Sequence, residues 1–554
     1  MKKILMLLLA LVLCVCLTAC TSSKDTKPAP TATEAPVATE APTAEPAAEK
    51  DYKVTLRVEV FDRSIPGLNL EDCWQLRYAQ EHFGDPNGIK LQFVPVSRWE
   101  EGDILTTQIS GKTAPDICIT YNGDLVNSLI ADGGVYVLDE LIEKNGQNIV
   151  AFLGENLLSY GEFDPDEDGK KEQYTIPARR ISVVNQGAFI RADWLKALNM
   201  EEPKTIEDLE KYLYAAKDAK LGGEMTIPFN YAIFTSNPMF AMRYYMSAFI
   251  NFAELSEEDW FAYKDNPEML PGAREALRLF NKWYHDGVLY ENFAVDTDST
   301  IGDTYMTVGN FGYFLQQYDQ PWRTDKNYQA EMAKNVPGAE WIPVNAWANK
   351  YDGQTYHDNY DAAGLTIFIP YWVKADVAKA AIQYLDWMCI PENMFAMQNG
   401  VDGINYNGVD ENGLPLNAVP TEQVPDENKM HVGDVVFISN GYNFGDDAKN
   451  AAYVARSFPG YEEQVAKSVL YSNEDAWTQI SFTVPIEAAT DYAGAVTLKQ
   501  NELIAQTIAC DPANFDKVYD EYIKAIKDAG ADKVIEAYRQ AYKDGNFRGT
   551  FPGK

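Results

Sequence analysis

The chain has few of the residues on which metal enzymes, nucleic-acid surfaces and membrane spans depend. Its 554 residues include 4 histidines and 7 cysteines, and neither type occurs at HExxH or CxxC spacing. Lys and Arg number 47 against 82 Asp and Glu, so the net charge is -35 and no basic cluster serves phosphate binding. After residue 17, no apolar run reaches the roughly 18 residues of a membrane-spanning helix. These absences argue against a zinc enzyme, a nucleic-acid partner and a membrane-spanning body.

Catalytic fingerprints are missing as well. No GxSxG elbow, Walker loop or GxGxxG turn stands out. Paired carboxylates of a glycoside hydrolase remain an alternative, because a chain with 82 acidic residues offers many pairs. With 46% hydrophobic residues the chain can bury sizeable cores, and its length suggests two to four domains. The acidity suits a soluble protein that works outside the cytoplasm with neutral ligands or cations.

The N-terminus predicts export and lipid anchoring. Lys2 and Lys3 precede an apolar stretch, residues 4–17, which is too short to cross a hydrocarbon core of about 30 Å. The stretch ends in LTAC at 17–20, which resembles the lipobox of bacterial lipoproteins. Residues 1–19 are therefore predicted as a signal peptide, and Cys20 as the lipidated (palmitate-bearing) first residue of the mature protein. An ordinary secretory cleavage site is the alternative.

The segment after Cys20 predicts a tether. Residues 21–50 contain no aromatic residue, leucine or isoleucine, and ATEAP occurs at 32–36 and again at 38–42. Such a segment buries too little apolar surface to offset its ordering entropy. We expect residues 20–50 to be a disordered link between the extracellular face of the bacterial cell membrane and a folded body.

Four cysteines belong to the folded body: Cys73, Cys118, Cys389 and Cys510. An oxidising exterior permits two disulfides in three pairings, and four free buried thiols are the alternative. Their spacing does not choose between the two.

The folded body begins with alternating strand and helix patterns. Strand periodicity occurs at 54–60, 89–93 and 114–119, with helical patterns at 70–83 and 98–110 between them. This order predicts a doubly wound α/β lobe, whose ligands bind at the carboxyl ends of its strands. Tyr121 and Asn122, which follow the third strand, are therefore predicted to line a cleft. Further helices are predicted at 205–216, 273–284, 377–388 and 515–526, and long loops at 400–450.

Five segments together resemble family 1 extracellular solute-binding proteins, the lipid-anchored receptors of carbohydrate ABC importers. They are GKTAPDI at 111–117, YTIP at 174–177, FIRADWL at 189–195, WYHDGVL at 283–289 and NGVDG at 399–403. The long Firmicute lipoprotein type and the alginate-binding proteins are the most similar subgroups. The resemblance implies an α/β, two-lobed periplasmic-binding-protein-like (type II) fold with the ligand cleft between its lobes. We expect lobe 1 at 51–122 plus about 306–370, and lobe 2 at about 123–305 plus 371–554.

The sequence DPDEDGKKEQ at 164–173 predicts a calcium loop. Asp164, Asp166, Asp168 and Glu172 take positions 1, 3, 5 and 9, Gly169 takes the turning position 6, and Lys170 offers its carbonyl at position 7. Position 12 is Thr175 rather than the glutamate of an EF-hand. The loop is similar instead to that of the alginate-binding relatives, which implies Gln173 as the sixth ligand of a structural calcium. An acidic solvated turn is the alternative.

Aromatic faces and bidentate polar groups hold sugars. Trp194, Trp283 and Trp387 lie on apolar helix stripes and are predicted to pack in the core. The arginines can fork onto sugar hydroxyls or a uronate carboxylate, or form ion pairs; the remaining tryptophans can equally be core. The predicted ligand-binding set is Arg63, Tyr121, Asn122, Arg179, Arg180, Trp322, Trp347, Trp372, Asn405 and Tyr406.

The function implied by the resemblance is capture of an oligosaccharide for an ABC permease by a monomeric, membrane-anchored receptor that is not an enzyme. A cell-surface glycan hydrolase or lyase and a peptide receptor are the alternatives. The alginate-binding relatives and the local arginines weaken the expectation of a neutral ligand.

Overall fold

The computed structural model describes residues 50–554 apart from 167, 231–241, 297–299, 324–326, 412, 431–434 and 554. The predicted signal peptide, Cys20 and all but the last residue of the tether lie outside the described residues. The chain from Tyr52 onward belongs to one unit, and the description below concerns that unit.

Strand pairing defines two main groups of strands. In the first, β1 (Val54–Asp62) and β2 (Ile89–Ser97) are parallel, and β12 (Ala363–Phe368) lies antiparallel between β3 (Cys118–Thr120) and β6 (Ile176–Arg179). The second is a sheet in the order β10 (Trp341–Val344), β7 (Gln186–Arg191), β9 (Phe311–Gln317), β8 (Ile227–Phe229). Short pairs are β4 (Glu162–Phe163) with β5 (Glu172–Gln173), β11 (His357–Asn359) with β13 (Ala476–Thr478), and β14 (Ser481–Phe482) with β15 (Phe547–Arg548).

Helices surround both groups of strands. Up to residue 262 they are Trp74–Ala79, Asp85–Asn87, Glu101–Ser110, Gly123–Ala131, Asp139–Asn145, Gln147–Leu158, Ala192–Leu198, Ile206–Asp218, Met242–Ser247 and Glu257–Ala262. Beyond it they are Ala273–His285, Thr300–Thr307, Tyr328–Asn335, Ala375–Met388, Pro391–Asn399, Asp447–Ala455, Glu462–Asn473, Glu487–Ala509, Phe515–Asp528 and Ala531–Lys543. None of the helices in the described residues combines the length and apolarity that crossing a membrane requires.

Two large hydrophobic cores divide the unit into two lobes. The first lobe takes its buried apolar side chains from 56–178 and 365–438, and the second from 184–356 and 451–551. The predicted lobe boundaries do not match these cores: 123–178 and 371–438 pack with the first lobe, and 306–356 with the second. The reason is strand pairing, because β12 joins β3 and β6, whereas β9 and β10 both join β7.

The chain passes between the lobes three times, and the crossing segments lie side by side. They are residues 179–183, 357–364 and 439–450. Arg179 N donates to Ile438 O at 2.9 Å, and Arg180 N donates to Ala362 O at 2.8 Å. Tyr360 N donates to Val183 O at 2.8 Å. The expected two-lobed α/β arrangement with repeated crossings is therefore confirmed.

Most predicted elements are present. The helix predicted at 205–216 is present as Ile206–Asp218, and Thr205 caps it, since Asp208 N donates to Thr205 Oγ1 at 3.1 Å. The helix expected at 70–83 is instead broken into a 3-10 turn, a short α-helix and a π-turn. All four cysteines are free thiols, which agrees with the alternative without disulfides; Cys73, Cys118 and Cys389 are buried and Cys510 is half-buried.

Candidate functional site

Charged and aromatic side chains gather where the strands of the first lobe end. Arg63 follows β1, Arg98 and Trp99 follow β2, and Tyr121 follows β3. Because Asp62 and Ser97 are paired at the ends of two parallel strands, Arg63 and Arg98 leave the sheet side by side. Arg180 and Tyr360 join this group from the first two crossing segments. We call Arg63, Arg98, Trp99, Tyr121, Arg180 and Tyr360 the cleft cluster.

The cleft cluster interleaves guanidinium groups with aromatic rings. The Arg98 Cζ lies 4.4 Å from the Tyr121 ring centroid and 5.6 Å from that of Trp99. Arg63 lies 5.6 Å from the Trp99 ring, and Arg180 lies 4.7 Å from the Tyr360 ring. Trp99 is 77% exposed and Tyr121 is 42% exposed. The cluster therefore offers apolar ring surface and multiple N–H donors to the same space.

In two of these arginines, Arg98 and Arg180, the guanidinium group forms no hydrogen bond with a carboxylate of the described residues. Arg180 Nη1 donates to Asp361 O at 3.1 Å and to Ala363 O at 2.8 Å, and burial lowers the pKa of Arg180. Arg98 Nε is buried and has no hydrogen-bond partner within the described part of the chain. Arg63, Arg98 and Arg180 thus bring three guanidinium groups to this place, where Arg180 also interacts electrostatically with Asp361.

A buried carboxylate holds the backbone of Tyr121 in place. Glu101, the first residue of the helix Glu101–Ser110, accepts from Thr120 Oγ1 at 2.7 Å and from Tyr121 N at 3.1 Å. Beneath it, Glu59 of β1 is fully buried and accepts from Ile119 N at 3.2 Å. Burial, with a smaller contribution from Glu101, raises the pKa of Glu59 to about 8, although the Ile119 hydrogen bond opposes the shift.

The second lobe approaches the cluster through the end of β9. Tyr318 and Asp319 follow this strand, and both interact electrostatically with Tyr360. Burial and the charge of Asp319 raise the pKa of Tyr318 well above its ordinary value. Burial also raises the pKa of Tyr360, and the Arg180 charge opposes that rise. Residues of both lobes and of two crossing segments therefore surround one place.

The structure brings three of the predicted ligand-binding residues together: Arg63, Tyr121 and Arg180. Asn122 lies beside them but caps the helix Gly123–Ala131, where its Oδ1 accepts from Leu125 N at 3.0 Å. Arg179 points away from Arg180, and its guanidinium lies 5.5 Å from the Phe152 ring. Adjacent side chains of a strand face opposite sides, so only one of the two arginines can join the cluster.

The other predicted ligand contacts lie elsewhere. Trp322 and Trp347 are 4% and 6% exposed in the second core, where Trp347 Nε1 donates to Tyr313 OH at 2.9 Å. Trp372 packs edge-on against Tyr371 with 5.3 Å between ring centroids. Asn405 ties its own loop, donating to Asn428 O and accepting from Val401 N, both at 2.9 Å, and Tyr406 is buried beside Phe395. For Trp322 and Trp347 the structure therefore agrees with the alternative that these tryptophans are core.

Sequence reasoning missed Arg98, Trp99 and Tyr360. A usable signal exists for two of them, because SRWE at 97–100 follows the alternating pattern of β2 just as Arg63 follows β1. Tyr360 joins the cluster only through the second crossing segment, which no local pattern reveals.

The acidic loop is a hairpin closed by β4 and β5. Carboxylate oxygens of Asp164, Asp166 and Asp168 lie within 4.8 Å of one another. Asp164 accepts from Gly169 N at 2.9 Å, and Gly169 has φ +86, a conformation that glycine adopts without strain. This convergence of hard oxygens fits a divalent cation such as calcium.

Two further residues of the loop bear on the same fit. Lys170 Nζ pairs with Glu172 Oε1 at 2.8 Å, and this hydrogen bond lowers the pKa of Glu172. The Gln173 amide nitrogen donates to Leu158 O at 2.9 Å and Thr175 O at 2.6 Å, so a cation would have to bind the amide oxygen of Gln173. Glu172 can therefore bind a cation only if its carboxylate releases Lys170.

A family model described as bacterial extracellular solute-binding protein matches residues 78–404. No curated protein matches the chain in sequence.

Solved structures share the fold at low sequence identity. Alginate-binding protein AlgQ2 without calcium ion is 18% identical with a TM-score of 0.58, covering 89% of this chain and 98% of that chain. An HMO-binding ABC-transporter-associated solute-binding protein of Bifidobacterium longum infantis is 16% identical with a TM-score of 0.60, covering 89% and 99%. The N-glycan transport solute-binding protein NgtS of Streptococcus pneumoniae is 14% identical with a TM-score of 0.56, also covering 89% and 99%.

Proposed function

Because the chain belongs to the bacterial extracellular solute-binding protein family, we propose that it captures an oligosaccharide in the cleft cluster for an ABC importer. The observation that carries this proposal is the exposed ring of Trp99 beside the guanidinium groups of Arg63 and Arg98. A sugar presents a C–H face that packs on an aromatic ring and hydroxyl pairs that accept from a guanidinium fork. The cleft cluster contains both an exposed aromatic ring and guanidinium groups.

The names of similar proteins support a glycan ligand. Those proteins are named for binding alginate and HMO and for transporting N-glycans, which are all carbohydrates. Arginine forks suit hydroxyl pairs and acidic sugar groups alike, so both neutral and acidic glycans belong among the candidate ligands.

The cellular setting follows from the N-terminal sequence. A lipid on Cys20 and a tether at 20–50 hold the receptor at the outer face of the membrane, where a permease collects the sugar. The protein acts as a monomer, and lobe closure around the ligand presents a joint surface to the permease.

Binding without turnover is the expected result for the protein lacking residues 1–50. On an array of neutral and acidic glycans, a subset of oligosaccharides should bind, and calorimetry on the best of them should give a one-to-one complex. Chromatography should then recover the sugar unchanged, because the proposed role involves no bond cleavage. Product formation would identify a hydrolase or lyase instead, and binding of peptides but no glycans would identify a peptide receptor.

We also propose that the loop at 164–173 binds a structural calcium ion. Asp164, Asp166 and Asp168, the Lys170 carbonyl, Glu172 and Gln173 supply the oxygens, in the order that the sequence predicts. The converging carboxylates support this, and the name of one similar protein mentions calcium. The ion would neutralise the repulsion among these acids and fix the hairpin.

Calcium should therefore raise the melting temperature of the protein. A hundredfold excess over Kd corresponds to about 2.7 kcal/mol of added stability, which scanning fluorimetry with calcium or EGTA detects. Asp166→Ala should abolish the rise, whereas the exposed Glu143→Ala should retain it. An unchanged wild-type melting temperature in calcium would contradict the site.

A further inference from the structure

Arg548, in the last strand of the second lobe, reaches across to the first lobe. Its Nη2 donates to Tyr160 O at 3.0 Å, and its Cζ lies 3.7 Å from the Tyr160 ring centroid. β15 pairs with β14, and Phe547 packs on the second core, so the second lobe fixes the base of Arg548. Tyr160 follows the helix Gln147–Leu158 and packs on the first core. The contact therefore joins the lobes directly.

Open space beside this contact sets it apart from general packing. A cavity of about 430 Å³ lies between the lobes here. First-lobe residues such as Asn127 and Phe163 line one side, and second-lobe residues such as Val484 and Asn546 line the other, with Arg548 at its edge. Arg548 thus contacts the first lobe beside an open space between the lobes.

Tyr160 is also connected to the cleft cluster through hydrogen bonds of Asp361. Its hydroxyl donates to Asp361 Oδ2 at 3.2 Å, and burial together with Asp361 raises the pKa of Tyr160 to about 12. The backbone oxygen of Asp361 accepts from Arg180 Nη1 at 3.1 Å. Arg180 in turn lies 5.9 Å from the Tyr121 ring of the cleft cluster. Consecutive contacts therefore run from Arg548 through Tyr160 and Asp361 to Arg180.

We propose that Arg548 is a positioning residue for ligand capture, which holds the two lobes at their working angle and, through Tyr160 and Asp361, holds Arg180 in the cleft cluster. The role in capture rests on the proposed function; the role in setting the lobe angle does not. A guanidinium over a ring, with one charged hydrogen bond, biases the angle between the lobes in addition to other contacts between them, such as the hydrogen bond from Tyr453 OH to Asn399 Oδ1 at 2.9 Å.

Variants of the contact separate the two parts of this role. Arg548→Gln removes the charge and the ring contact, so the ligand-free protein should show a larger radius of gyration by small-angle X-ray scattering. Its Kd for the best array glycan should rise about five- to tenfold. Tyr160→Phe keeps the ring and the backbone acceptor but loses the Asp361 hydrogen bond, so Kd should rise while the scattering stays that of the wild type. Arg278→Gln, an exposed second-lobe arginine paired with Asp516, should change neither quantity.

The outcomes are distinct. The inference is overturned if Arg548→Gln keeps wild-type scattering and affinity, or lowers only the melting temperature. It is also overturned if Arg278→Gln has the same effects as Arg548→Gln. If the wild type binds no glycan, the proposed function is refuted, and scattering alone decides whether Arg548 sets the lobe angle.

Discussion

Trp99→Ala should abolish most of the oligosaccharide affinity while leaving the folded protein intact. Tryptophans at the centre of a binding site commonly contribute 2 kcal/mol or more, so Kd should rise by about thirtyfold. The side chain is 77% exposed and supports little of the core, so the melting temperature should move by no more than about 1 °C. Calorimetry with the best array glycan measures the first effect, and thermal unfolding measures the second.

An exposed aromatic residue outside the cluster provides the matched control. Tyr351 is 53% exposed in the second lobe, and Tyr351→Ala should bind the glycan as the wild type does. Trp99→Phe, which retains an aromatic face, should keep a large part of the affinity. Equal affinity of Trp99→Ala and wild type would place the ligand elsewhere.

The largest stability effect is expected from Glu59. Its pKa lies near 8 in the folded protein against 4.5 for a free carboxyl, so the folded state binds the proton more tightly. Stability from this group is fully present below pH 4.5 and is lost as pH rises through 8. Each unit of the shift corresponds to about 1.4 kcal/mol, which makes the total a few kcal/mol. Glu268 and Asp358, with pKa values of about 7 and 6, add losses of the same sign.

A neutral isostere isolates the contribution of Glu59. Glu59→Gln should match the wild type at pH 5 and exceed its stability at pH 8, because glutamine cannot ionise. Urea unfolding at both pH values measures the difference in unfolding free energy between variant and wild type. Glu268, Asp358 and His357, whose pKa burial lowers to about 4, are present in both proteins, so their contributions cancel in that difference. Exposed Glu71→Gln should track the wild type at both pH values. A pH-independent difference for Glu59→Gln would show that this carboxyl is ionised in the folded protein.

The sequence predicts those parts of the site that depend on strand periodicity. The alternation at 54–60 and 89–93 locates β1 and β2, and the rule that ligands bind at strand ends then selects Arg63 and Tyr121. The same rule selects Arg98 and Trp99 as well, but only if β2 ends at Ser97, as in the structure, and not at Phe93, as the sequence pattern predicts. Element boundaries therefore decided which residues were found.

The misplaced residues depend on non-local contacts. Trp322 and Trp347 have loop-like neighbours in sequence, yet Phe189 and Tyr313 enclose them from β7 and β9. The lobe boundaries were missed for the same reason, because β12 pairs with strands more than 180 residues before it. Local patterns do not record which distant strand will be the partner.

The three crossings also constrain how the chain folds during its synthesis, which proceeds from the N-terminus to the C-terminus. The first lobe lacks β12 and the helix Ala375–Met388 until the whole 184–356 section of the second lobe has been made. Neither lobe is a continuous piece of chain, so neither can complete its core early, and contacts far apart in sequence must form late. A fragment that ends near residue 360 would expose the apolar faces of β3 and β6 instead of forming a stable half. Truncation is therefore a poor route to an isolated lobe of this protein, and circular permutation is no better, because the segments of the two lobes alternate along the chain wherever it is opened.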